Sequence, residues 1–543
     1  MKKKTMSLKK IQQIILKIVL VISSIIFSNI LIASIPTIFR IINTIICTVI
    51  TTIIIKKVDI SKLRIKEIII SILLSIYVSN LLVMTKDSFG IFLANKVETI
   101  IGYSFINELT HLIIVAACIP ILSMYIYMFI DKIIPKVKDF IKKLTQVEKK
   151  YVIITSIVGI IISGIIITTT TAFTLPVPKE LDTTRIYDVI FTADNGALTA
   201  TDAYLNPGHE ENDLRQPLFG VLASPFSVIA HIGSEMLPFT LESKGYYFLL
   251  IVIQFVLASI TTIMIGKLLE LEEKNKKYLY LLFSLSFPYM LFSILLEQYV
   301  IALFYLILTI YLYKELKGIN YAYIGSTGSL LTSGILFPLV TKGKKIKDKI
   351  KDLFQCFIAF CTIFLLSGGI RVIANLFKTI NGLTKYTGAD VTILNKFQQF
   401  THFIKSLFFG TEGHITYLKT IWADSYQISP ITTISIIGIV ILVLCIISAF
   451  INRKKYITKV SIVWVIFSVI MLFVLGWGTQ ENGLVLYSLY FGWAYFVLIF
   501  QLLQNIFKNP KVFKIAIAVL IISMLCFSLP ELYNILKFAI LYY

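Results

Sequence analysis

The sequence predicts an all-α fold, a polytopic transmembrane helical bundle of about 13 spans with a long first external loop carrying interfacial helices. Three observations favour this fold class. Hydrophobic residues make up 57% of the 543 residues, well above the share in soluble proteins. Apolar runs of roughly 20 residues, long enough to cross a hydrocarbon core of about 30 Å, recur from end to end. Lysines and arginines cluster in short blocks between these runs.

The basic blocks predict the orientation of the chain. They hold 36 of the 51 lysines and arginines, and the positive-inside rule puts them on the cytoplasmic side. We therefore expect a multi-pass protein of the cytoplasmic membrane with a cytoplasmic N-terminus. The net charge of +21 then reflects topology and not a nucleic-acid partner. The blocks are 2–10, 56–66, 132–150, 267–277, 314–317, 342–351, 453–459 and 508–514.

A chain that alternates sides and keeps every basic block inside has 13 spans. The first span follows the basic start "MKKKTMSLKK" and is too long for the apolar region of a signal peptide, so we expect it to be uncleaved. The predicted spans are 11–33, 36–55, 67–84, 110–130, 151–172, 246–266, 278–295, 298–313, 353–377, 430–451, 460–476, 484–505 and 515–530.

Three regions follow from this topology. Residues 1–150 form a four-span accessory unit with basic cytoplasmic connectors, and 506–543 form a last span and tail. The core, 151–505, carries the external loops 173–245 and 378–429. Two segments of the core receive special predictions. The segment 217–237 is expected to be a helix at the membrane interface. The glycine-containing stretch 320–340 is expected to be a broken hairpin that enters the membrane and returns.

The six cysteines all fall inside predicted spans, so the sequence indicates no disulfide framework. Motifs with metal-ligand spacing, nucleotide-binding fingerprints and nucleic-acid-binding modules are absent from the sequence. Function is therefore expected at the external face, where the long loops lie.

The segment 192–220, "TADNGALTATDAYLNPGHEENDLRQPLFG", holds five carboxylates, a histidine and an arginine within an otherwise apolar chain. Arginine is rare here, at six residues against 45 lysines. Yet Arg185 and Arg215 lie in this external loop, and Arg371 lies at a span end on the same face. Arginine suits bidentate binding of phosphate or carboxylate. The alternative is a solvated loop in which each arginine pairs with a neighbouring acid.

Two further acids are predicted at external span edges. Glu297 and Gln298 occupy a very tight turn between spans, and Glu481 and Asn482 occupy another. An ionisable group at the hydrocarbon boundary is costly and indicates function. The alternative is an acid that complements the positive end of a helix dipole.

At residues 150–505 the chain resembles the GT-C superfamily of integral membrane glycosyltransferases. The resemblance lies in a long first external loop with an early Asp, in "TADNG", and a later D-x-R-x-P-L-[FY], in "NDLRQPLFG". Later external turns carry glutamates, and the last third is rich in Tyr and Trp. The chain departs from the family pattern at Gln216, where many members have His. It also has a single proline in that element and no adjacent Asp–Glu pair.

The resemblance implies transfer of a sugar from a polyprenyl-phosphate donor lipid to a glycan, lipid or protein acceptor in the cell envelope. Asp194 would then be the general base, supported by Asp202 and Asp213. The substrate-binding residues would be Arg215, Arg185, Glu297, Gln298, Arg371 and Glu481.

A hydrophobic groove between spans would hold the lipid tail. No cofactor is clearly required, and a divalent cation bridging phosphate and carboxylates is compatible with this chemistry.

"DNG" is also a turn signal in which Asn195 and Gly196 are able to take positive φ. Asp194 in that case either presents its carboxylate to a cavity or only caps the turn.

Three other functions remain open. A polysaccharide polymerase or ligase uses similar donors but usually has paired arginines in a late loop, and 378–429 has none. A flippase or transporter of lipid-linked sugar usually carries charges near mid-membrane. An accessory membrane protein is the third. Convergence of Asp194, Arg215 and Glu297 on one cavity would favour the glycosyltransferase.

Overall fold

A computed structural model describes residues 8–31, 36–57, 64–85, 105–179, 189–205, 214–237, 244–316, 320–336, 345–384, 386–419 and 423–543. This described part of the chain is helical nearly throughout, with one two-stranded antiparallel sheet. The helical fold class is therefore confirmed. The sheet is an addition that the sequence analysis did not predict.

The chain forms two compact units. Unit 1 comprises Met1–Leu144, Leu205–Asp213 and Ile358–Leu376, and unit 2 comprises Thr145–Tyr204, Leu214–Phe357 and Phe377–Tyr543. The predicted regions 1–150, 151–505 and 506–543 stay a prediction, because compactness does not test the role of each region.

Unit 1 begins with five helices whose contacts include polar ones. Ser24 and Thr51 share a hydrogen bond of 2.7 Å between their hydroxyls, and Ser75 and Ser123 share another of 2.7 Å. Small hydroxyl residues allow helices to approach closely and to bond across an apolar interface. The helices are α1 (Leu8–Ile30), α2 (Thr37–Lys57), α3 (Ile65–Thr85), α4 (Phe105–Lys132) and α5 (Ile134–Lys142).

The remaining helices and strands follow in chain order. They are α6 (Gln146–Thr169), α7 (Asn195–Ala200), α8 (Phe219–Glu235), α9 (Gly245–Leu268), α10 (Glu273–Ser284), α11 (Phe287–Ile294), α12 (Tyr299–Leu316), α13 (Asn320–Ser329), α14 (Ile346–Leu366), α15 (Ile370–Ala374), α16 (Leu376–Thr384), α17 (Ile393–Phe409), β1 (Gly413–Leu418), β2 (Ala423–Ile428), α18 (Ile436–Asn452), α19 (Tyr456–Ser468), α20 (Ser488–Ile506) and α21 (Pro510–Tyr542). Short 3-10 helices cover Leu331–Leu336 and Gly483–Tyr487.

Nine helices in the described residues are long and apolar enough to cross a membrane, or ten if α10 and α11 together count as one span. The protein is therefore a multi-pass membrane protein. The nine are Gln13–Ile30, Thr37–Ile55, Ile65–Leu82, His111–Lys142, Gln146–Thr169, Gly245–Leu268, Tyr456–Val474, Gly483–Ile506 and Pro510–Tyr542.

The count of 13 spans and the cytoplasmic N-terminus stay predictions. The predicted spans 298–313 and 430–451 correspond to shorter apolar helices, Tyr299–Lys314 and Ile436–Asn452.

The predicted span 278–295 is not one straight helix. The axes of α10 and α11 are bent by 64° at the break between them. Pro288 stands in the first turn of α11, where its missing N–H and fixed φ favour the start of a new helix. The bend directs α11 to the tight turn that holds Glu297.

The last helix is longer than predicted. The sequence places the end of the last span at residue 530, but α21 contains Pro530 and continues to Tyr542. Contacts within unit 2 support the extension, since Thr171 donates its backbone N–H to the Tyr543 carbonyl at 3.2 Å. The Tyr426 hydroxyl also donates to Glu531 Oε1 at 3.0 Å.

The predicted loop 378–429 is largely ordered secondary structure. It contains most of α16, all of α17 and the β1–β2 hairpin, whose register runs from Gly413 opposite Ile428 to Leu418 opposite Ala423. A parallel bridge joins Ile190 to Tyr426. The hairpin therefore supports the backbone that leads to Asp194.

Two predicted features of the core agree in secondary structure. The segment 217–237 contains the helix α8, and the stretch 320–340 contains α13 followed by the 3-10 helix Leu331–Leu336. Their placement at the interface and within the membrane stays a prediction.

Candidate functional site

One cavity in unit 2, of about 400 Å³, brings together five of the predicted site residues, namely Asp194, Arg215, Glu297, Gln298 and Glu481. The segments that carry them are far apart in sequence. The other described residues that line the cavity are Thr192, Leu214, Gln216, Tyr299, Leu330, Leu331, Thr332, Leu383, Tyr386, Phe467, Met471, Leu472, Trp477, Gly478, Gly483, Leu486, Tyr487, Tyr490 and Phe491.

Asp194 is presented by a strained turn directly before α7. Phe191 and Thr192 take left-handed conformations, with φ of 53° and 60°. Such conformations are costly for residues other than glycine and persist only where the surroundings impose them. Here the Phe191 N–H donates to the Tyr426 carbonyl, and the Tyr426 N–H donates to the Val189 carbonyl, both at 2.8 Å.

The predicted "DNG" turn is wrong in detail. Asn195 and Gly196 begin α7 and do not take positive φ. The Asn195 side chain is fully buried and donates to the carbonyls of Ala172 and Thr174 at 3.0 and 2.8 Å. Asparagine is therefore used here as an anchor and not as a turn residue. This anchor holds the start of α7, and with it Asp194, in a fixed place.

The capping alternative for Asp194 finds no support. Asp194 stands at the N-cap position of α7, but its side chain makes no capping hydrogen bond. The side chain is 46% exposed and lines the cavity. The carboxylate is thus presented to the cavity.

Arg215 lies close to this carboxylate. Its Nη2 is 3.9 Å from Asp194 Oδ2, which is longer than the usual 2.7–2.9 Å of a charged hydrogen bond. Its guanidinium also lies over the Tyr386 ring, 5.0 Å from the centroid, a cation–π geometry. The Arg215 carbonyl accepts the Leu331 N–H at 2.9 Å. The turn after α13 therefore holds the backbone of Arg215.

An aromatic wall continues from Tyr386, which is stacked on Trp477 with a centroid distance of 5.7 Å. The Trp477 indole N–H donates to the Tyr487 hydroxyl at 3.0 Å. Gly476 and Gly478 have φ of 68° and 80°, a conformation that glycine adopts without steric cost. Their turn places Trp477 against Tyr386. The Tyr- and Trp-rich last third is evident in the sequence, but no sequence pattern distinguishes Tyr386, Trp477 and Tyr487 from the other aromatic residues.

Glu297 is the deeply buried acid of the cavity, at 3% exposure. Its backbone is held by Tyr204, whose hydroxyl donates to the Glu297 carbonyl at 3.0 Å. The carboxyl Oε2 accepts the Gln298 N–H at 3.2 Å. Oε1 is buried and has no hydrogen-bond partner among the described residues.

Burial raises the pKa of Glu297 well above its usual value, and the nearby charge of Asp194 raises it further. Glu297 therefore keeps its proton to a higher pH than an exposed glutamate does. Asp194 and Glu297 occupy different environments, one half-exposed beside a cation and the other buried. Such a difference is typical of acids with separate tasks in one site.

The remaining predicted site residues lie elsewhere. Asp202 does not line the cavity. Its carboxylate accepts a hydrogen bond from the Tyr246 hydroxyl at 2.7 Å and lies 3.2 Å from His231 Nε2, which fits a structural role. Arg371 belongs to unit 1, is buried and donates from Nε to the Gly368 carbonyl at 3.3 Å. Arg185 and Asp213 are outside the described residues.

A second, larger groove of about 700 Å³ lies in unit 2 among α6, α10, α11 and α21. Its lining is apolar over most of its length, with Lys150 and Lys277 among its few polar residues. Phe173 also lines it, and the Phe173 carbonyl accepts the Leu296 N–H at 3.0 Å. The apolar groove therefore reaches the support of the Glu297 turn.

Within the described ranges no three His, Cys, Asp or Glu side chains form a group able to hold a metal ion. The six cysteines all lie in described residues, and none of them forms a disulfide. Comparison of the chain with protein-family models, with curated proteins and with solved structures found no match. The assignment of function therefore depends on the residues of the cavity.

Proposed function

We propose that the protein is a membrane glycosyltransferase that moves a sugar from a polyprenyl-phosphate donor to a hydroxyl of a cell-envelope acceptor. One observation carries the proposal. Asp194 and Arg215, which belong to one predicted loop, and Glu297, from a later turn, line a single cavity. A flippase needs no general base, and a polymerase or ligase usually has paired arginines in a late loop, whereas 378–429 has none.

The reaction assigns one task to Asp194 and another to Arg215. Asp194 takes the proton of the acceptor hydroxyl, and the oxygen attacks the anomeric carbon of the sugar. The bond between that carbon and the phosphate oxygen breaks, and polyprenyl phosphate leaves with the electron pair. Arg215 binds the departing phosphate, whose negative charge increases as the bond breaks.

The lipid tail accounts for the second groove. A polyprenyl chain is apolar along its whole length, and the 700 Å³ groove offers an apolar lining of matching character. The donor is a lipid and not a nucleotide sugar because the loops that carry Asp194 and Arg215 are expected outside the cytoplasmic membrane.

Lipid-linked glycans of a deletion strain test the proposal. We expect a glycan that lacks one sugar, restored by the wild-type chain and not by an Asp194→Asn chain that accumulates to the same level. An unchanged set of lipid-linked and cell-envelope glycans in the deletion strain would contradict the proposal.

A further inference from the structure

Gln216 and Glu297 share a feature at the cavity wall. Gln216 is 8% exposed and donates from Nε2 to the Tyr490 hydroxyl, while its Oε1 is buried without a partner among the described residues. Oε1 of Glu297 is likewise buried without a hydrogen-bond partner among the described residues. Buried polar atoms are nearly always hydrogen-bonded, because leaving them unpaired is unfavourable. Two such atoms in the lining of one cavity indicate a ligand that pairs with both.

The two groups have a common rigid support. The Tyr490 ring, whose hydroxyl holds Gln216, meets the Tyr299 ring edge to face at 5.0 Å. Tyr299 follows Gln298 directly after the Glu297 turn. The Tyr490 carbonyl accepts the indole N–H of Trp464 at 2.6 Å. Gln216 and Glu297 are therefore held in place before a ligand binds, which reduces the entropy lost on binding.

The chemistry of the two oxygens selects the ligand. An amide oxygen only accepts hydrogen bonds, whereas a protonated carboxyl also donates. Burial and the charge of Asp194 raise the pKa of Glu297, which favours its protonated form. An acceptor and a donor in one cavity match hydroxyl groups, which both donate and accept.

The charges of the described lining residues favour a neutral sugar. The described residues that line the cavity include one cation, Arg215, and two carboxylates, Asp194 and Glu481, besides the protonated Glu297. A phosphate already requires Arg215, so a second anion would face carboxylates with no cation of its own. The stacked rings of Tyr386 and Trp477 suit the apolar face of a neutral sugar ring.

We propose that Gln216 Oε1 and Glu297 Oε1 form a hydroxyl-binding subsite for a neutral sugar carried by the lipid-linked donor. The subsite deepens the proposed function and rests on it. Arg215 binds the phosphate of the donor. Gln216 and Glu297 form hydrogen bonds with hydroxyl groups of the sugar and so distinguish sugars whose hydroxyl groups are arranged differently. The residue that departs from the family pattern, Gln216, thereby determines specificity.

The test measures binding to the purified full-length protein in lipid nanodiscs. The probes are decaprenyl phosphate and decaprenyl phosphate bearing glucose, galactose, mannose or N-acetylglucosamine. We expect at least one glycosylated probe to bind about tenfold or more tightly than bare decaprenyl phosphate. Removal of one hydroxyl from that sugar should abolish the gain, and this result needs no variant. Equal binding of all glycosylated and bare probes would overturn the subsite.

Variants then assign the subsite to its residues. In Gln216→Leu and in Glu297→Leu the affinity for the glycosylated probe should fall about tenfold. The affinity for bare decaprenyl phosphate should not change. Gln501→Leu is the matched control. Gln501 is also buried, accepts a hydrogen bond from Thr458 and has an Nε2 without a partner among the described residues, but it does not line the cavity. Gln501→Leu should bind the glycosylated probe more tightly than bare decaprenyl phosphate by the same factor as the wild type. Equal loss for bare and glycosylated probes would contradict the assignment.

A different binding result would show that the proposed function is wrong. If wild-type protein does not bind decaprenyl phosphate, or binds it equally well as Arg215→Lys, the lipid-phosphate donor is wrong. Soluble methyl hexosides then test the subsite alone. Binding of a methyl hexoside that Gln216→Leu weakens would keep the sugar subsite, and absence of such binding would remove both.

Discussion

At the scale of single residues, Asp194 carries the chemistry of the proposal. Its carboxylate is presented to the cavity without a capping bond, so Asp194→Asn removes the basic group without removing a cap of α7. We expect normal protein level with turnover reduced by about 100-fold or more, the usual contribution of a positioned base. Rates of sugar transfer with the purified variant measure this.

The companion variant Asp202→Asn should affect stability more than turnover, because Asp202 is bound by Tyr246 and His231. Normal transfer by Asp194→Asn together with loss of transfer in Asp202→Asn would mean that the base is misassigned.

The second prediction at the scale of single residues concerns the role of Arg215 in phosphate binding. Arg215→Lys keeps the positive charge but loses the planar fork and the stacking on Tyr386. We expect transfer to fall by about tenfold or more, measured at saturating acceptor. Arg64→Lys is the matched control, since Arg64 pairs with Glu67 and Asp131 in unit 1. Undiminished transfer by Arg215→Lys would remove Arg215 from phosphate binding.

Because Glu297 is buried, we expect the stability of the folded protein to depend on pH. A carboxyl whose pKa is raised by folding contributes stability below about pH 4.5, its ordinary value. That contribution is lost as the pH rises through the higher pKa of the folded state. Glu297→Gln has no proton to lose, so its melting temperature relative to wild type should rise steadily from pH 4.5 upward. Thermal unfolding in detergent across this range measures the difference. A constant difference at every pH would contradict the burial argument.

At the scale of elements, the turn before Asp194 shows where sequence patterns stop being informative. The sequence predicts that Asn195 and Gly196 bend the chain, whereas Phe191 and Thr192 do so. These two residues have no turn preference of their own. Their conformation is imposed by backbone hydrogen bonds to Tyr426, more than 200 residues away in the sequence. Local signals contain no information about such a distant partner.

The contact between α13 and the Arg215 segment gives a prediction at the same scale. A Cβ at Gly328 would lie 2.8 Å from Leu218 Cβ and 3.0 Å from Leu222 Cδ1. The Gly328 carbonyl also accepts the Leu218 N–H at 2.8 Å. Gly328→Ala should therefore displace the backbone that holds Arg215, destabilise the protein by about 1–3 kcal/mol and reduce transfer.

Gly164→Ala in α6 is the control for Gly328→Ala, because a Cβ there meets no atom within 4 Å. It should be neutral or slightly stabilising, as expected for Gly to Ala in a helix. Melting temperature and transfer rate, measured for both variants, decide the matter. Equal behaviour of the two variants would show that the close packing at Gly328 does not position the site.

At the scale of the whole molecule, hydropathy predicts most helices, because crossing a bilayer imposes both length and composition. Five residues of the cavity lining were also predictable, since Asp194, Arg215, Glu297, Gln298 and Glu481 are polar groups between apolar runs. Tyr386, Trp477 and Tyr490 were not. Tyrosine occurs 28 times in the chain. The sequence therefore does not distinguish Tyr386 from the other tyrosines, and only the fold shows that it lies beside Arg215. The β1–β2 hairpin escaped prediction because its strands pack on distant residues.

The orientation of the chain in the membrane is the prediction on which the donor class depends. The basic blocks predict that residue 206 is outside and residue 345 inside. Single cysteines at Asn206→Cys and Lys345→Cys test this in a chain whose six native cysteines have been replaced. An impermeant maleimide added to intact cells should label position 206 and not 345, and both should be labelled after the membrane is permeabilised. Labelling at 345 alone would place Asp194 and Arg215 in the cytoplasm, where nucleotide sugars are available, and the argument for a lipid-linked donor would be lost.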